Sequence, residues 1–203
     1  MSKKKSNIST ESFQENEWLL SRKKFIKTIV LSGVAIQLPW LSSCSNENEV
    51  IKNTSPLTAD QFKTVRALQD ILFPDDGNGP DARQINAASY LVWVLNDQRL
   101  DPDENNYIIE KVDELVSYSK EKYKDHFHNL SLGNQREIVT SISEESWGNR
   151  FLSRLITLIL EALLLDPVYG ANPNGIGWEW LSHDPGQPRP TQEILYPEIF
   201  NNI

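Results

Sequence analysis

Apolar residues along most of the chain recur every three or four positions, which is the period of an amphipathic α-helix. The pattern predicts five helices within residues 58–165, and no stretch shows the sustained alternation with β-branched residues that is typical of a strand. Residues that favour helix starts precede three of them, namely Thr58, Asp101 and Ser131. The predicted helical segments are 58–73, 82–97, 101–124, 131–142 and 146–165.

The fifth segment is the most apolar of the five, and its apolar residues lie on nearly all sides of the predicted helix. We therefore expect it to be the central, buried helix. Arg150, Arg154 and Glu161 interrupt the segment, and these charges argue against a membrane span. Together the segments predict an all-α fold, a single compact domain of about five helices with bundle-like packing.

Residues 166–203, which we call the C-terminal arm, show almost no helical periodicity and are rich in proline, glycine, asparagine and aromatic residues. Long irregular stretches of this kind are usually functional or disordered. Disorder fits poorly, because large aromatic side chains are costly to leave in water. We therefore expect the arm to be irregular and to pack on the helices or on a partner. Its large aromatic residues are Tyr169, Trp178, Trp180, Tyr196 and Phe200.

The first 43 residues have the order of parts that a secretion signal requires: a basic segment, an apolar segment and small residues. The apolar segment, 28–41, is shorter than the roughly 20 residues that span a bilayer. The run Leu41-Ser42-Ser43-Cys44 then resembles the lipid-attachment site of a bacterial lipoprotein. This pattern predicts removal of residues 1–43 and an exported protein on the periplasmic side, anchored to the membrane by a lipid on Cys44. The alternative is a plain signal anchor with an incidental cysteine.

Within the basic segment, Ser21, Arg22, Phe25 and Lys27 match the twin-arginine export motif. Lys23 stands where the second arginine belongs, and lysine lacks the planar, forked guanidinium. The ordinary route for unfolded chains therefore remains an alternative. The distinction matters because the twin-arginine pathway carries folded, often cofactor-loaded proteins.

Removal of the signal would leave 160 residues with a formal charge of −12, because seven of the 20 basic residues but only three of the 28 acidic ones precede Cys44. A chain of this length suits one domain. We expect residues 44–57, which are polar, to form a flexible tether and residues 58–203 to form the domain. So acidic a surface disfavours nucleic acid and anionic lipid as partners. A single cysteine excludes an intramolecular disulfide, a multi-thiolate zinc site and an iron–sulfur cluster.

Few residues suggest catalysis. The sequence contains neither Gly-x-Gly-x-x-Gly nor a phosphate-binding loop of the Gly-x-x-x-x-Gly-Lys type. His126 and His128 are two positions apart and would not share a helical face, so a joint metal site is disfavoured. His183 and Asp184 form either a turn or a base with its orienting carboxylate, as in a hydrolase. The turn is the more common arrangement for such a pair.

The arm carries the most informative motif. Residues 166–172, Asp-Pro-Val-Tyr-Gly-Ala-Asn, followed by Gly175-Ile176-Gly177-Trp178, resemble the signature of the gluconate 2-dehydrogenase subunit 3 family. The typical signature is Pro-x-Tyr-Gly-Gly-Asn, a short turn and Gly-Trp. Leu72-Phe73-Pro74 and the Gly/Asp loop after it resemble an earlier motif of that family. The resemblance spans about residues 58–185, with Ala171 replacing the second glycine and residues 182–203 forming an extension.

The resemblance implies a non-catalytic accessory subunit that binds no cofactor itself. Its partner would be a large flavoprotein of the glucose–methanol–choline type, which would hold FAD and oxidise a sugar or sugar acid, often together with a cytochrome c subunit. The small subunit would aid export, membrane tethering and stability of the large one. The predicted partner interface consists of Tyr169, Gly170, Asn172, Gly175, Gly177 and Trp178.

Two other interpretations of the same aromatic residues remain open. They could only pack the arm onto the helices. Alternatively, Tyr169, Trp178 and Trp180 could form a stacking platform for sugar rings in a free-standing carbohydrate-binding lipoprotein.

Overall fold

The computed structural model describes residues 55–191 and 194–196. The all-α prediction is confirmed, because this part of the chain contains six α-helices and no strand. Single turns of 3₁₀ helix occur at Phe127–Asn129, Pro167–Tyr169 and Pro173–Gly175. The α-helices are α1 Ala59–Leu72, α2 Ala87–Asn96, α3 Pro102–Tyr123, α4 Leu132–Ser143, α5 Ser146–Leu164 and α6 Ile176–Leu181. Cys44 and the export motif, residues 21–27, lie outside the described residues.

The three predicted helix starts are confirmed by side-chain caps. Thr58 and Gln61 form a capping box: the Gln61 N–H donates to Thr58 Oγ1 at 3.2 Å, and the Thr58 N–H donates to Gln61 Oε1 at 2.8 Å. The side chains of Asp101 and Ser131 accept backbone hydrogen bonds at 2.9 and 3.3 Å at the starts of α3 and α4. These helices therefore begin where local chemistry satisfies their first free N–H groups.

The second helix begins at Ala87, five residues later than the pattern predicts. Residues 82–86 form turns instead, in which the Asn86 N–H donates to the Arg83 carbonyl at 3.0 Å. Asn86 has the left-handed backbone conformation, with φ 56°. A right-handed helix cannot continue through such a residue, and asparagine tolerates this conformation better than most residues do.

Helix α5 lies at the centre of the bundle, where it packs against α1, α2, α3, α4 and α6. Its inner face is fully buried at Phe151, Leu155 and Leu163. The prediction of a central helix is confirmed, although the opposite face is partly exposed, at Ile156 (38%). Helix α2 is also buried around most of its circumference. Among the described residues, no helix combines the length and the apolar character needed to cross a membrane.

The C-terminal arm is mostly irregular, but it contains one short helix that the pattern does not predict, α6, which Gly175 and Ser182 bracket in left-handed conformations. Helix α6 has six residues, too few for a helical period to show in the sequence. Further along, Leu195 and Tyr196 return to the bundle and are each 3% exposed. The Tyr196 hydroxyl donates to the carboxylate of Asp97, and its ring lies edge-on to Trp93 at 5.8 Å. The arm thus packs on the chain's own helices there.

Candidate functional site

Asn172 connects three parts of the chain. It is completely buried, and its Nδ2 donates to the Leu165 carbonyl at 2.9 Å, where α5 ends. Its Oδ1 accepts from the Gly177 N–H at 2.7 Å, where α6 begins. Its own N–H donates to the Ile85 carbonyl at 3.0 Å, in the connection between α1 and α2. These bonds fix the arm to the end of α5 and to the distant α1–α2 connection, in a place where unpaired polar groups would be costly.

Three glycines of the signature each meet a geometric need. A Cβ at Gly177 would lie 2.2 Å from the Leu163 carbonyl oxygen, so α6 can cross α5 this closely only with glycine at that position. Gly170 and Gly175 have φ angles of 92° and 69°, which most other residues avoid. The Gly170 carbonyl also accepts a 3.0 Å hydrogen bond from Asn86 Nδ2. The arm therefore holds Asn86 by a direct contact.

Trp178 is 8% exposed and packs between the bundle and the extension of the arm. Its indole Nε1 donates to the Leu164 carbonyl at 2.7 Å, and the Arg189 guanidinium lies 4.4 Å from the ring centroid. Arg189 is fixed in turn by Asp166, which accepts from its Nε at 2.8 Å. This hydrogen bond and the carboxylate charge raise the pKa of Arg189. Trp178 thus has one ring face covered by a cation and its polar atom satisfied.

Trp180 joins the signature to the loop that follows α1. Its indole lies so close to Gly79 that a Cβ there would be 2.2 Å from the ring. Phe73 meets the same indole edge-on, with ring centroids 6.2 Å apart. The Leu72-Phe73-Pro74 motif and the arm signature, far apart in sequence, therefore pack together. We call this unit, residues 73–86 with 165–182, the loop–arm junction.

A comparison with profiles of known families matches residues 59–186 to gluconate 2-dehydrogenase subunit 3. This chain belongs to the gluconate 2-dehydrogenase subunit 3 family. Membership implies an accessory subunit of a multi-subunit dehydrogenase complex. Comparisons with curated proteins and with solved structures found no significant match.

The signature of this subunit 3 family member is mostly interior. Tyr169, Asn172 and Trp178 are 7%, 0% and 8% exposed, and Gly175 and Gly177 are buried with them. These residues hold the loop–arm junction in shape, and direct contact between them and a partner remains a prediction. The structure does not support the sugar-stacking alternative, which requires open ring faces at Tyr169 and Trp178.

A small cleft opens on the surface beside the junction, between α1 and the start of α2, and offers about 20 Å³ of space to water-sized groups. Sequence reasoning missed this cleft, because its walls come from segments that are separate in sequence and carry no motif. Asn86 belongs both to the cleft and to the loop–arm junction. The cleft is lined by Arg66, Gln69, Asp70, Ala82, Arg83, Asn86, Ala88 and Ser89.

The charges in the cleft are only partly paired. Arg83 Nε donates to both carboxylate oxygens of Asp70, at 2.9 and 3.1 Å, and this hydrogen bonding and the charge of Asp70 raise the pKa of Arg83. Arg66 lies 5.9 Å above the ring of Phe62 and joins no ion pair among the described residues. Gln69 is 1% exposed, and its Nε2 has no hydrogen-bond partner within the same residues. An unpaired buried donor costs about 1–3 kcal/mol, so the Gln69 amide needs an explanation.

A second polar cluster lies inside the bundle, between α2 and α5. The Tyr90 hydroxyl donates to Glu161 Oε2 at 2.9 Å, and the Arg154 guanidinium is 3.9 Å from the same carboxylate. Burial raises the pKa of the Glu161 carboxyl, although the hydrogen bond and Arg154 oppose the shift. Burial, followed by the charge of Glu161, raises the pKa of Tyr90. The cluster thus joins two central helices through a carboxylate that is costly to ionise.

The spacing of the His126 and His128 rings is one feature that the sequence did not predict. The rings of His126 and His128 are 5.5 Å apart, because the chain forms a 3₁₀ turn there rather than an α-helix. Among the described residues, however, no group of three or more histidine, cysteine, aspartate or glutamate side chains could hold a metal ion. The Asp184 carboxylate, next to His183, accepts from the Gly186 N–H at 3.0 Å. This contact is typical of a turn and favours the non-catalytic interpretation.

Proposed function

We propose that the chain is a non-catalytic accessory subunit that binds a large, FAD-containing dehydrogenase of the glucose–methanol–choline type. The large subunit would oxidise a sugar or sugar acid, with a cytochrome c subunit as the next electron carrier. The observation that carries this proposal is the family match over residues 59–186, in which the signature is folded into the loop–arm junction. The small subunit would aid export of the large one, tether it and stabilise it.

The geometry of the junction supports a binding role. Recognition is strongest when the binding surface is already ordered, because little entropy is then lost on association. Here Asn172 fixes the arm to the α1–α2 connection through a buried hydrogen bond and Trp180 does so through close packing, while Gly177 lets α6 pack closely on α5. The predicted interface residues therefore support a binding role by holding the surface of the junction in a fixed position.

The export and tethering roles rest on the sequence. Residues 1–43 resemble a lipoprotein signal of the twin-arginine type, and Cys44 would carry the lipid. The charge of −12 on the remaining chain would repel anionic headgroups, so a covalent lipid suits this protein better than electrostatic adsorption does. A folded-protein export route would serve a flavin-loaded partner rather than the small domain alone.

Copurification tests the complex. The full-length chain, tagged at its C-terminus, should be expressed with a flavoprotein of the glucose–methanol–choline type that lacks an export signal of its own, and extracted with mild detergent. We expect a stable complex that shows flavin absorbance and oxidises a sugar, while the accessory subunit alone does neither. Recovery of the native chain without a companion, or full activity of the chain alone, would refute the proposed function.

Membrane fractionation tests the tether. Cys44→Ser should move the chain and its bound flavoprotein out of the membrane fraction, because no thiol is left for lipid attachment. The neighbouring change Ser45→Ala is the matched control and should leave both proteins in the membrane. Unchanged membrane retention of the Cys44→Ser protein would refute the lipid anchor without affecting the complex itself.

A further inference from the structure

We propose that the α1–α2 cleft receives one carboxylate side chain, of an aspartate or glutamate, from the large subunit. In this contact Arg66 and the amide of Gln69 would donate to the carboxylate oxygens. The inference rests on the proposed function, because it assumes that this chain docks on a large partner. It adds the contact residues and the chemistry of the group they recognise.

The cleft lies next to the family signature. Most signature residues are buried, so their main effect on a partner is through the surface that they hold in place. That surface is the α1–α2 connection, where Asn172 bonds to the carbonyl of Ile85 and Gly170 accepts from Asn86. Asn86 is itself a wall of the cleft. The cleft is therefore the surface feature to which the family signature is most directly connected.

The donors in the cleft match a carboxylate. Arg83 is already engaged by Asp70, so these two charges offset each other. Arg66 then leaves the cleft with one positive charge in a chain whose formal net charge is −8. The Gln69 amide adds a buried N–H donor that has no partner among the described residues. A carboxylate, which only accepts hydrogen bonds and carries one negative charge, matches both groups.

The cleft is too small for a whole sugar. Pockets for small organic ligands usually have volumes of about 300–1,000 Å³ and enclose most of the ligand. The cleft offers only about 20 Å³ of space to water-sized groups and opens to the surface. This space suits the end of one side chain better than a whole sugar. The size therefore favours a group presented by a docked protein over a free substrate.

The walls of the cleft are held by hydrogen bonds and an ion pair. Asp81 and Gln84 exchange hydrogen bonds at the start of the turn: the Gln84 N–H donates to Asp81 Oδ1 at 2.7 Å, and the Asp81 N–H donates to Gln84 Oε1 at 2.9 Å. The ion pair of Arg83 with Asp70 then ties this turn to α1. The cleft walls are thus fixed before a partner arrives, which favours specific docking.

Two cleft variants and one control test the inference in the copurified complex. Arg66→Gln removes the charge, and Gln69→Leu replaces the unpaired amide with an apolar side chain of similar shape. Arg136→Gln removes an equal charge from an exposed position on α4 and is the matched control. The dissociation constant for the purified flavoprotein should rise about tenfold to a hundredfold in each cleft variant, as expected for loss of a charged hydrogen bond. The control should stay within about twofold of the wild type.

Circular dichroism of each variant should show unchanged helix content and a melting temperature no lower than that of the wild type, so that weaker binding reports on the contact itself. Gln69→Leu should melt somewhat higher, because the substitution removes the unpaired buried donor. If the wild type binds the flavoprotein and both cleft variants bind equally well, the cleft assignment is overturned and the proposed function stands. If the wild type does not bind the flavoprotein, the cleft assignment and the proposed function are both overturned. Saturable binding of sodium acetate or sodium gluconate to the isolated full chain, lost in Arg66→Gln, would assign the cleft to free carboxylates instead and overturn the docking role.

Discussion

Replacing Asn172 by alanine should destabilise the domain more than any ordinary loop substitution. The change removes the two side-chain hydrogen bonds, to the Leu165 carbonyl and from the Gly177 N–H, in a completely buried place. Each backbone group left unpaired costs about 1–3 kcal/mol, so the pair costs roughly 2–6 kcal/mol. Asn172 also has a left-handed backbone with φ 50°, which costs alanine roughly 1–2 kcal/mol.

The chain contains a matched control for the backbone effect. Asn174 has the same left-handed conformation, with φ 56°, but its side chain is exposed. Asn174→Ala should therefore show only the backbone cost. The difference in unfolding free energy between the two variants then isolates the buried hydrogen bonds, at roughly 2–6 kcal/mol out of a typical total of about 5–15 kcal/mol.

Thermal and urea unfolding followed by circular dichroism would measure both variants. A domain of this size loses about 2–4 °C of melting temperature per kcal/mol, so Asn172→Ala should melt roughly 5–20 °C below Asn174→Ala. Equal melting temperatures would show that the hydrogen bonds of Asn172 do not hold the junction. In that case the rigid surface invoked for partner binding would lose its physical basis.

Two further substitutions test the core around the junction. Gly177→Ala should lower the unfolding free energy measured in urea by about 1–3 kcal/mol, because the new Cβ would lie 2.2 Å from the Leu163 carbonyl oxygen. The control Gly133→Ala, in open space on α4, should be neutral or slightly stabilising. Equal effects of the two substitutions would contradict the close crossing of α5 and α6. Burial raises the pKa of Glu161 in the folded state, so the unfolding free energy should fall as the pH rises from the ordinary glutamate pKa through the pKa in the folded protein. Glu161→Gln should remove this pH-dependent loss of stability. Parallel pH profiles of unfolding free energy for the two proteins would contradict the pKa shift.

The helix starts could be predicted from the sequence because their cause is local. Thr58, Asp101 and Ser131 each accept a hydrogen bond from a backbone N–H only two or three residues ahead. Such a contact depends on residue type and spacing alone, so it is visible before the fold is known.

The start of α2 and the existence of α6 could not be predicted from the sequence. The first depends on a contact with a distant part of the chain, and the second is a helix too short to show a period. Asn86 ends the turn in a left-handed conformation, while its side chain binds the Gly170 carbonyl, 84 positions away. Helix α6 has six residues, and its position depends on the fit of Gly177 against α5. Both features depend on tertiary contacts that no local pattern reports.

The candidate site, too, was only partly predictable from the sequence. Residue types and spacing were enough to single out Tyr169, Asn172 and Trp178, but not to decide whether these side chains face a partner or the core. In the structure all three side chains are buried in the core. The cleft could not be predicted, because Arg66 and Arg83 lie in different segments and neither belongs to a recognisable motif.

A buried signature has a consequence for how this family can vary. Asn172 pairs buried backbone groups and Gly177 allows close packing, and those needs are the same whatever partner the subunit binds. Selection for a different partner can therefore act on the exposed cleft and on the extension beyond residue 186, where the family match ends, without disturbing the fold. In this chain the extension already contributes to the junction, because Arg189 covers Trp178. Partner choice should consequently follow the cleft and the extension, while the signature identifies only the scaffold that presents them.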